Sequence, residues 1–325
     1  MAAPVSRGRQ PEERAMKETM KLLIAYDGSQ CAGAALNDLK RSGLPRETEA
    51  LVVSVADVWL PPPASEIAAA AEMVPPSVRL SRAHAIETEE QALALAQQAA
   101  AQLQKRFAGW RISAAACHDA PWWGILKQAE KFKPDLIVVG SHGRGALGRM
   151  VLGSTSQRVA TEANCSVRIA RGLFAEDVAP PRLVVGVDGS DHSDLTVSRI
   201  AERAWPAGTA VHVVAFADVV NVAIFSSSEC PPVSGLMPED YEKEEARLRE
   251  FATAAADKLR AAGLLAAPIV RRGDPRREIL HEAERWGADC VFVGAHGHTR
   301  LQKILGSVSQ WVASRAHCSV EVVRA

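Results

Sequence analysis

The chain repeats itself almost from end to end. The stretch KLLIAYDGS at 21–29 returns as RLVVGVDGS at 182–190, and DLIVVGSHG at 135–143 returns as DCVFVGAHG at 289–297. A chain of 325 residues is also longer than a single core usually holds. The repetition therefore predicts two copies of one domain joined head to tail. The predicted divisions are a polar tail at 1–20, a domain at 21–172, a linker at 173–181 and a domain at 182–325.

Each copy alternates short β-branched runs with helical patterns. In the first copy the strands are predicted near 21–26, 50–57, 112–117, 135–140 and 166–170, and the helices near 30–41, 87–107, 122–132 and 154–163. This alternation is typical of a parallel sheet covered on both faces. We therefore predict two tandem, doubly wound α/β domains, each with a five-stranded parallel sheet. The segments 59–85 and 219–240, rich in Pro, Ser and small residues, are predicted to be surface loops that could cover a site.

Composition argues against several classes of partner. Lys plus Arg equals Asp plus Glu at 38 each, so no net charge draws the chain to nucleic acid or anionic lipid. No apolar run approaches the roughly 20 residues that span a bilayer, and the first 20 residues lack the apolar stretch of a signal peptide. The six cysteines form no CxxC pair and fit free thiols. We expect a cytoplasmic protein with no nucleic-acid partner, membrane partner or metal site.

A glycine-rich loop follows the fourth strand of the first copy. In an open parallel sheet, ligands bind beyond the carboxyl ends of the strands. Glycines let backbone amides approach a ligand, and the start of the next helix offers unpaired N–H groups, so the loop suits phosphate. It is not a standard P-loop, because Ser154 stands where the lysine belongs. The first strand ends in Asp27-Gly28-Ser29, so the GxGxxG dinucleotide fingerprint is absent as well.

The spacing Gly140-x2-Gly143-x9-Gly153-Ser154, together with DGS after the first strand, resembles the ATP-binding subgroup of the universal stress protein family. From about residue 21 to 325 the chain resembles a tandem pair of such domains. The resemblance implies flavodoxin-like (Rossmann-like) domains that bind an adenine nucleotide. The implied cofactor is ATP, with or without Mg²⁺, and the implied role is that of a nucleotide-responsive regulator in stress response, with protein partners that the sequence does not identify.

The resemblance also assigns residues to the nucleotide. In the first copy these are Asp27, Gly28 and Ser29 at the nucleoside, Val55 at adenine, Val139, Gly140, Gly143 and Arg144 by the ribose and phosphates, and Gly153, Ser154, Thr155 and Ser156 at the phosphates. In the second copy they are Asp188, Phe216, Gly294, Gly297, Gly306, Ser307, Val308 and Ser309. The second loop has eight residues between Gly297 and Gly306 where the pattern has nine, and Phe216 replaces the smaller Val55. We therefore expect Gly306 to miss the phosphates and Phe216 to crowd the adenine slot.

Other interpretations stay open. The glycines could simply permit tight packing in a nucleotide-free dimeric scaffold, and Asp27 and Asp188 could be mere helix caps. An enzymatic alternative is slow ATP hydrolysis or self-phosphorylation on Ser154 or Ser156. No catalytic residue is assigned, because His142 and His296 have no evident nucleophile and carboxylate set around them.

The last strand of each copy would be a sheet edge, and unpaired edges are usually covered or paired. In the family these edges pair between domains, so the resemblance implies a pseudo-twofold dimer within one chain. Whether two chains also join as a homodimer is left open.

Overall fold

The alternating α/β order is present in both copies. The computed structural model describes residues 19–58, 76–143, 152–172, 179–217, 238–295 and 305–325. The first copy contains β1 (Met20–Ala25), α1 (Gln30–Asp38), β2 (Thr48–Ala56), α2 (Pro76–Arg106), β3 (Arg111–His118), α3 (Pro121–Phe132), β4 (Leu136–Gly140), α4 (Ser154–Glu162) and β5 (Ser166–Ala170). The second contains β6 (Arg182–Gly186), α5 (Asp191–Ala201), β7 (Ala210–Ala217), α6 (Pro238–Ala261), β8 (Leu265–Arg272), α7 (Pro275–Trp286), β9 (Cys290–Gly294), α8 (Ser307–Arg315) and β10 (Ser319–Val323).

The strands of both copies form one ten-stranded sheet in the order β3-β2-β1-β4-β5-β10-β9-β6-β7-β8. Within each copy all pairings are parallel. Central strands such as β4 and β9 are almost wholly buried, as expected for strands covered on both faces. The predicted pair of tandem flavodoxin-like (Rossmann-like) doubly wound domains is confirmed. The strand order reverses between β1 and β4, and in the second copy between β6 and β9, which opens a crevice there.

The two copies meet where β5 pairs antiparallel with β10, with Val167 opposite Val322, Arg168 opposite Glu321 and Ile169 opposite Val320. On one face of the sheet a single apolar core runs across this junction, from α3 and α4 to α7 and α8. On the other face α1 and α2 cover one apolar cluster and α5 and α6 cover another. Between those two clusters lies a group of buried charged side chains.

Helix α2 corrects the predicted loop at 59–85. Residues 76–85 are helical, and the helix starts 11 residues before the predicted position near 87. The two prolines Pro75 and Pro76 indicated a loop, but proline is well tolerated in the first turn of a helix. Helix α6 likewise begins at Pro238, inside the predicted loop at 219–240. Strand β1 begins at Met20, the last residue of the predicted tail.

Candidate functional site

A cavity of about 370 Å³ lies at the carboxyl ends of β1, β2 and β4 in the first copy. Its volume falls within the range of small-molecule sites, and it occupies the crevice where the strand order reverses. The predicted residues that line it are Asp27, Val55, Val139, Gly140, Gly143, Thr155 and Ser156. Residues from four sequence motifs thus converge on one space.

The remaining predicted residues of this copy lie beside the cavity. Gly28 and Ser29 form the turn that starts α1, and Gly153 packs against Ser141 and His142. Ser154 is exposed at the start of α4 and does not belong to the cavity wall. Arg144 lies outside the described residues.

The turn after β1 is held by Asp27. Gly28 has φ +76°, which favours glycine. The Ser29 N–H donates to Asp27 Oδ1 at 2.9 Å, and Ser29 Oγ accepts from the Ala32 N–H at 3.1 Å. Ser29 is therefore the N-cap of α1, and Asp27 holds the turn before it. The other carboxylate oxygen of Asp27 is 3.2 Å from the point where a Cβ on Gly143 would stand.

The glycine loop is closed at its base by two hydrogen bonds. The Gly153 N–H donates to the Ser141 carbonyl at 2.9 Å, and Ser156 Oγ donates to the Gly140 carbonyl at 2.6 Å. Gly140 has no room for a side chain, because a Cβ there would stand 2.9 Å from the Cys31 carbonyl carbon. The N–H groups in the first turn of α4 have no partners within the helix, as at any helix start. They lie beside a cavity wall that includes Thr155 and Ser156.

The second copy has the same two hydrogen bonds at the base of its glycine loop. The Gly306 N–H donates to the Ala295 carbonyl at 2.7 Å, and Ser309 Oγ donates to the Gly294 carbonyl at 2.5 Å. The shorter loop therefore leaves Gly306 at the end of β9, and that Gly306 misses the phosphates stays a prediction. The missing residue falls within 296–304, which lies outside the described residues and includes Gly297. Ser307 and Val308 begin α8 as Ser154 and Thr155 begin α4.

The walls of the second crevice carry larger side chains. The burial patterns align α2 with α6, so that the cavity residues Ala92 and Leu95 correspond to Leu248 and Phe251. The Phe251 ring lies 2.5 Å from the point where a Cβ on Gly189 would stand, against the turn that follows β6. Asp188 holds that turn by accepting from the Ser190 N–H at 3.0 Å. Phe216 likewise stands where Val55 stands in the first copy, so each of these three positions carries a larger side chain in the second copy.

His142 also lines the first cavity. Its Nδ1 is 3.1 Å from Ser141 Oγ, and its Nε2 is buried with no hydrogen-bond partner among the described residues. Burial, and secondly the charge of Arg171, lower its pKa below the ordinary value of 6.5. His296 lies outside the described residues. The described ranges contain no cluster of three His, Cys, Asp or Glu side chains suited to a metal ion.

The lowered pKa of His142 makes stability depend on pH. A histidine whose folded pKa is lowered contributes stability that is present above its unfolded pKa and lost as the pH falls through the interval below it. We expect the free energy of unfolding to decline below about pH 6.5, with at most ~1.4 kcal/mol per pH unit from this group. Urea denaturation at pH 7.5 and 5.5 would measure the decline. His142→Gln should reduce the decline, and an unchanged decline in His142→Gln would contradict this role.

Several cavity residues were not predicted from the sequence. Tyr26 and Asp57 line the cavity from the ends of β1 and β2, and Thr88 and Gln91 line it from α2. The rule that ligands bind beyond the carboxyl ends of strands would have predicted Tyr26 and Asp57, which directly follow β1 and β2. Thr88 and Gln91 belong to no local motif.

The thiols of the half-buried Cys165 and the buried Cys318 are unsuited to nucleophilic chemistry. Burial raises the pKa of Cys165 to about 11 and that of Cys318 to about 12. Both stay protonated near pH 7, and Cys318 packs within the apolar core.

Comparison with known proteins adds a family match. The sequence profile of the universal stress protein family matches residues 18–171 and again residues 181–324. A universal stress protein of Mycolicibacterium smegmatis is 34% identical over 192 residues, which are 58% of this chain and 61% of that protein. The chain thus spans about three fifths of the length of the curated relatives it matches.

One solved structure supports the same fold, and a second one contains cAMP. A universal stress protein from Archaeoglobus fulgidus matches with a TM-score of 0.59 at 20% identity, over 94% of this chain and 99% of that one. A universal stress protein in complex with cAMP matches with a TM-score of 0.30 at 23% identity, over 45% of this chain and 98% of that one. None of the helices in the described ranges combines the length and the hydropathy needed to cross a membrane.

Proposed function

Because this chain belongs to the universal stress protein family, we propose that its first copy binds an adenine nucleotide, ATP in particular, and that the protein acts as a nucleotide-responsive regulator in the stress response. The observation that carries the proposal is the convergence of Asp27, Val55, the Gly140–Gly143 loop and the start of α4 on one cavity. These groups offer a carboxylate, an apolar wall and backbone N–H groups to one ligand.

Each part of the cavity suits a different part of the nucleotide. The Asp27 carboxylate would accept from ribose hydroxyls, and the backbone at Val55 would contact adenine. Phosphates would lie against the backbone of the glycine loop and the first turn of α4, where unpaired N–H groups and the helix dipole favour negative charge. Bound phosphate changes the charge of this face of the protein, and a partner that reads the difference selects the occupied or the empty state.

The direct test is to denature gently purified protein and identify the released small molecule by mass spectrometry, counted per chain. We expect about one adenine nucleotide per chain, because three wall positions of the second crevice carry larger side chains than those of the first. Two per chain would extend the proposal to the second copy. No released nucleotide, together with no heat of binding when ATP, AMP or cAMP is added back, would overturn it and leave the nucleotide-free scaffold.

The same preparation tests the enzymatic alternative. After incubation with ATP and Mg²⁺, we expect the intact mass of the chain to be unchanged, because no lysine occupies the P-loop position at Ser154. A phosphorylated species would support self-phosphorylation. The exposed Ser154 is then the first acceptor to examine, since the Ser156 hydroxyl already donates to the Gly140 carbonyl.

A further inference from the structure

Opposite charges occupy the same position in the two copies. Arg168 lies three residues after Cys165 in CSVR, and Glu321 lies three residues after Cys318 in CSVE. The antiparallel register of β5 and β10 places these two residues directly opposite each other. Both are buried, with 1% and 0% exposure, and Arg168 Nη1 is 3.2 Å from Glu321 Oε2. Two equivalent positions thus form one complementary pair across the junction.

Each member of this pair is also held within its own copy. Arg168 contacts Asp38 of α1, with Nε to Oδ2 at 2.5 Å and Nη2 to Oδ1 at 3.1 Å. Glu321 pairs with Arg203, whose Nη1 also donates to the Ser42 carbonyl of the first copy at 2.9 Å. If two first copies met at this junction, Arg168 would face a second Arg168, and Nη1 would lose both of its acceptors in the second copy, Glu321 Oε2 and Cys290 Sγ. Like charges placed directly opposite in a sheet are destabilising, and burial increases the cost.

A second contact at the junction is also asymmetric. Gly43 of the first copy has φ +63°, and a Cβ there would stand 2.6 Å from the ring of Trp205 in the second copy. Gly43 follows Asp27 by 16 residues, and the equivalent residue after Asp188 is Ala204. If two second copies met in this arrangement, Trp205 would meet the side chain of Ala204 where it now meets a bare backbone. The shape at Ala204 and Trp205 therefore disfavours a pair of two second copies. Charge disfavours both a pair of two first copies, with Arg168 opposite Arg168, and a pair of two second copies, with Glu321 opposite Glu321.

We propose that the β5 and β10 edges form an interaction surface that accepts only unlike copies. The first copy accepts the second copy of its own chain or, where the junction opens, the second copy of another identical chain. It does not pair with the first copy of another chain. The selection is made by Arg168 opposite Glu321 and by Gly43 beneath Trp205.

Two full-length variants with different affinity tags test the charge pair. Glu321→Arg leaves two basic edges in one chain, and Arg168→Glu leaves two acidic edges in the other. Each alone should melt about 10 °C or more below the unchanged protein. When the two are co-expressed, the first copy of Glu321→Arg and the second copy of Arg168→Glu rebuild the original junction between chains. We expect at least about ten times more complex containing both tagged chains than from the control pair described next.

The control pair is Glu202→Arg with Arg199→Glu, which makes the same charge changes at an exposed ion pair. Mixed complex no greater than in this control, or an unchanged melting temperature in either single variant, would overturn the proposal. The neutral variants Arg168→Gln and Glu321→Gln give a second test without like charges. The loss of melting temperature in the double variant should be smaller than the sum of the two single losses, and strict additivity would count against selection across the junction.

Discussion

Gly143→Val is expected to weaken ATP binding by the first copy at least about 100-fold, which corresponds to ~2.7 kcal/mol. A Cβ on this residue would stand 3.2 Å from Asp27 Oδ2, and the two methyl groups of valine need still more space. The substitution therefore crowds the carboxylate and the part of the cavity where the ribose and phosphates are proposed to lie. Isothermal titration with ATP measures the change in affinity.

The matched control is Gly33→Ala on α1. A Cβ at Gly33 would meet no heavy atom within 4 Å, and the residue lies outside the cavity wall. This variant should bind ATP as the unchanged protein does. Circular dichroism should show that Gly143→Val retains its fold. Equal affinity of Gly143→Val and the unchanged protein would contradict the placement of the site.

Asp38→Ala is expected to lower the free energy of unfolding by about 3–5 kcal/mol, because it removes one partner of a buried ion pair. Arg168 would lose the acceptors of its Nε and Nη2, and Ser319 Oγ would lose its 2.9 Å contact with Asp38. The remaining partners of Arg168 are Glu321, which Arg203 already holds, and the weakly accepting sulfur of Cys290 at 3.2 Å from Nη1. Urea denaturation followed by tryptophan fluorescence measures the loss.

The repeat supplies the control for this prediction. Asp38 follows Asp27 by 11 residues, and the residue 11 positions after Asp188 is Arg199. Arg199 makes an exposed pair with Glu202 at 3.6 Å, so Arg199→Ala should change stability by no more than about 0.5 kcal/mol. Similar losses for the two variants would show that the buried charges do not stabilise the junction.

The sequence predicted most of the fold because its signals were local and were stated twice. Buried parallel strands appear as continuous apolar runs, and the strand ends at Asp27 and Gly140 carry the turn residues that a ligand site needs. The predicted start of α2 was wrong because a proline such as Pro76 occurs both in loops and in the first turn of a helix. The segment is helical although most side chains at 77–86 are exposed, so no apolar pattern there marked the helix.

The charged junction could not be predicted, because its meaning depends on register. Arg168 and Glu321 lie within otherwise apolar strands, and nothing local indicates that they face each other. Loop length alone does not tell where Gly306 lies either, because the hydrogen bond from its N–H to the Ala295 carbonyl places it at the end of β9. Tyr26 and Asp57 were not predicted, because they belong neither to the DGS motif nor to the glycine loop.

The antiparallel pairing of β5 with β10 has a directional consequence. All strands of the first copy run one way across the sheet and all strands of the second run the other. The carboxyl ends of the two sets therefore emerge at opposite rims of one continuous sheet, and the two crevices open away from each other. A molecule bound at one rim leaves the other accessible, so a single chain has the geometry of a bridge between two bodies on opposite sides.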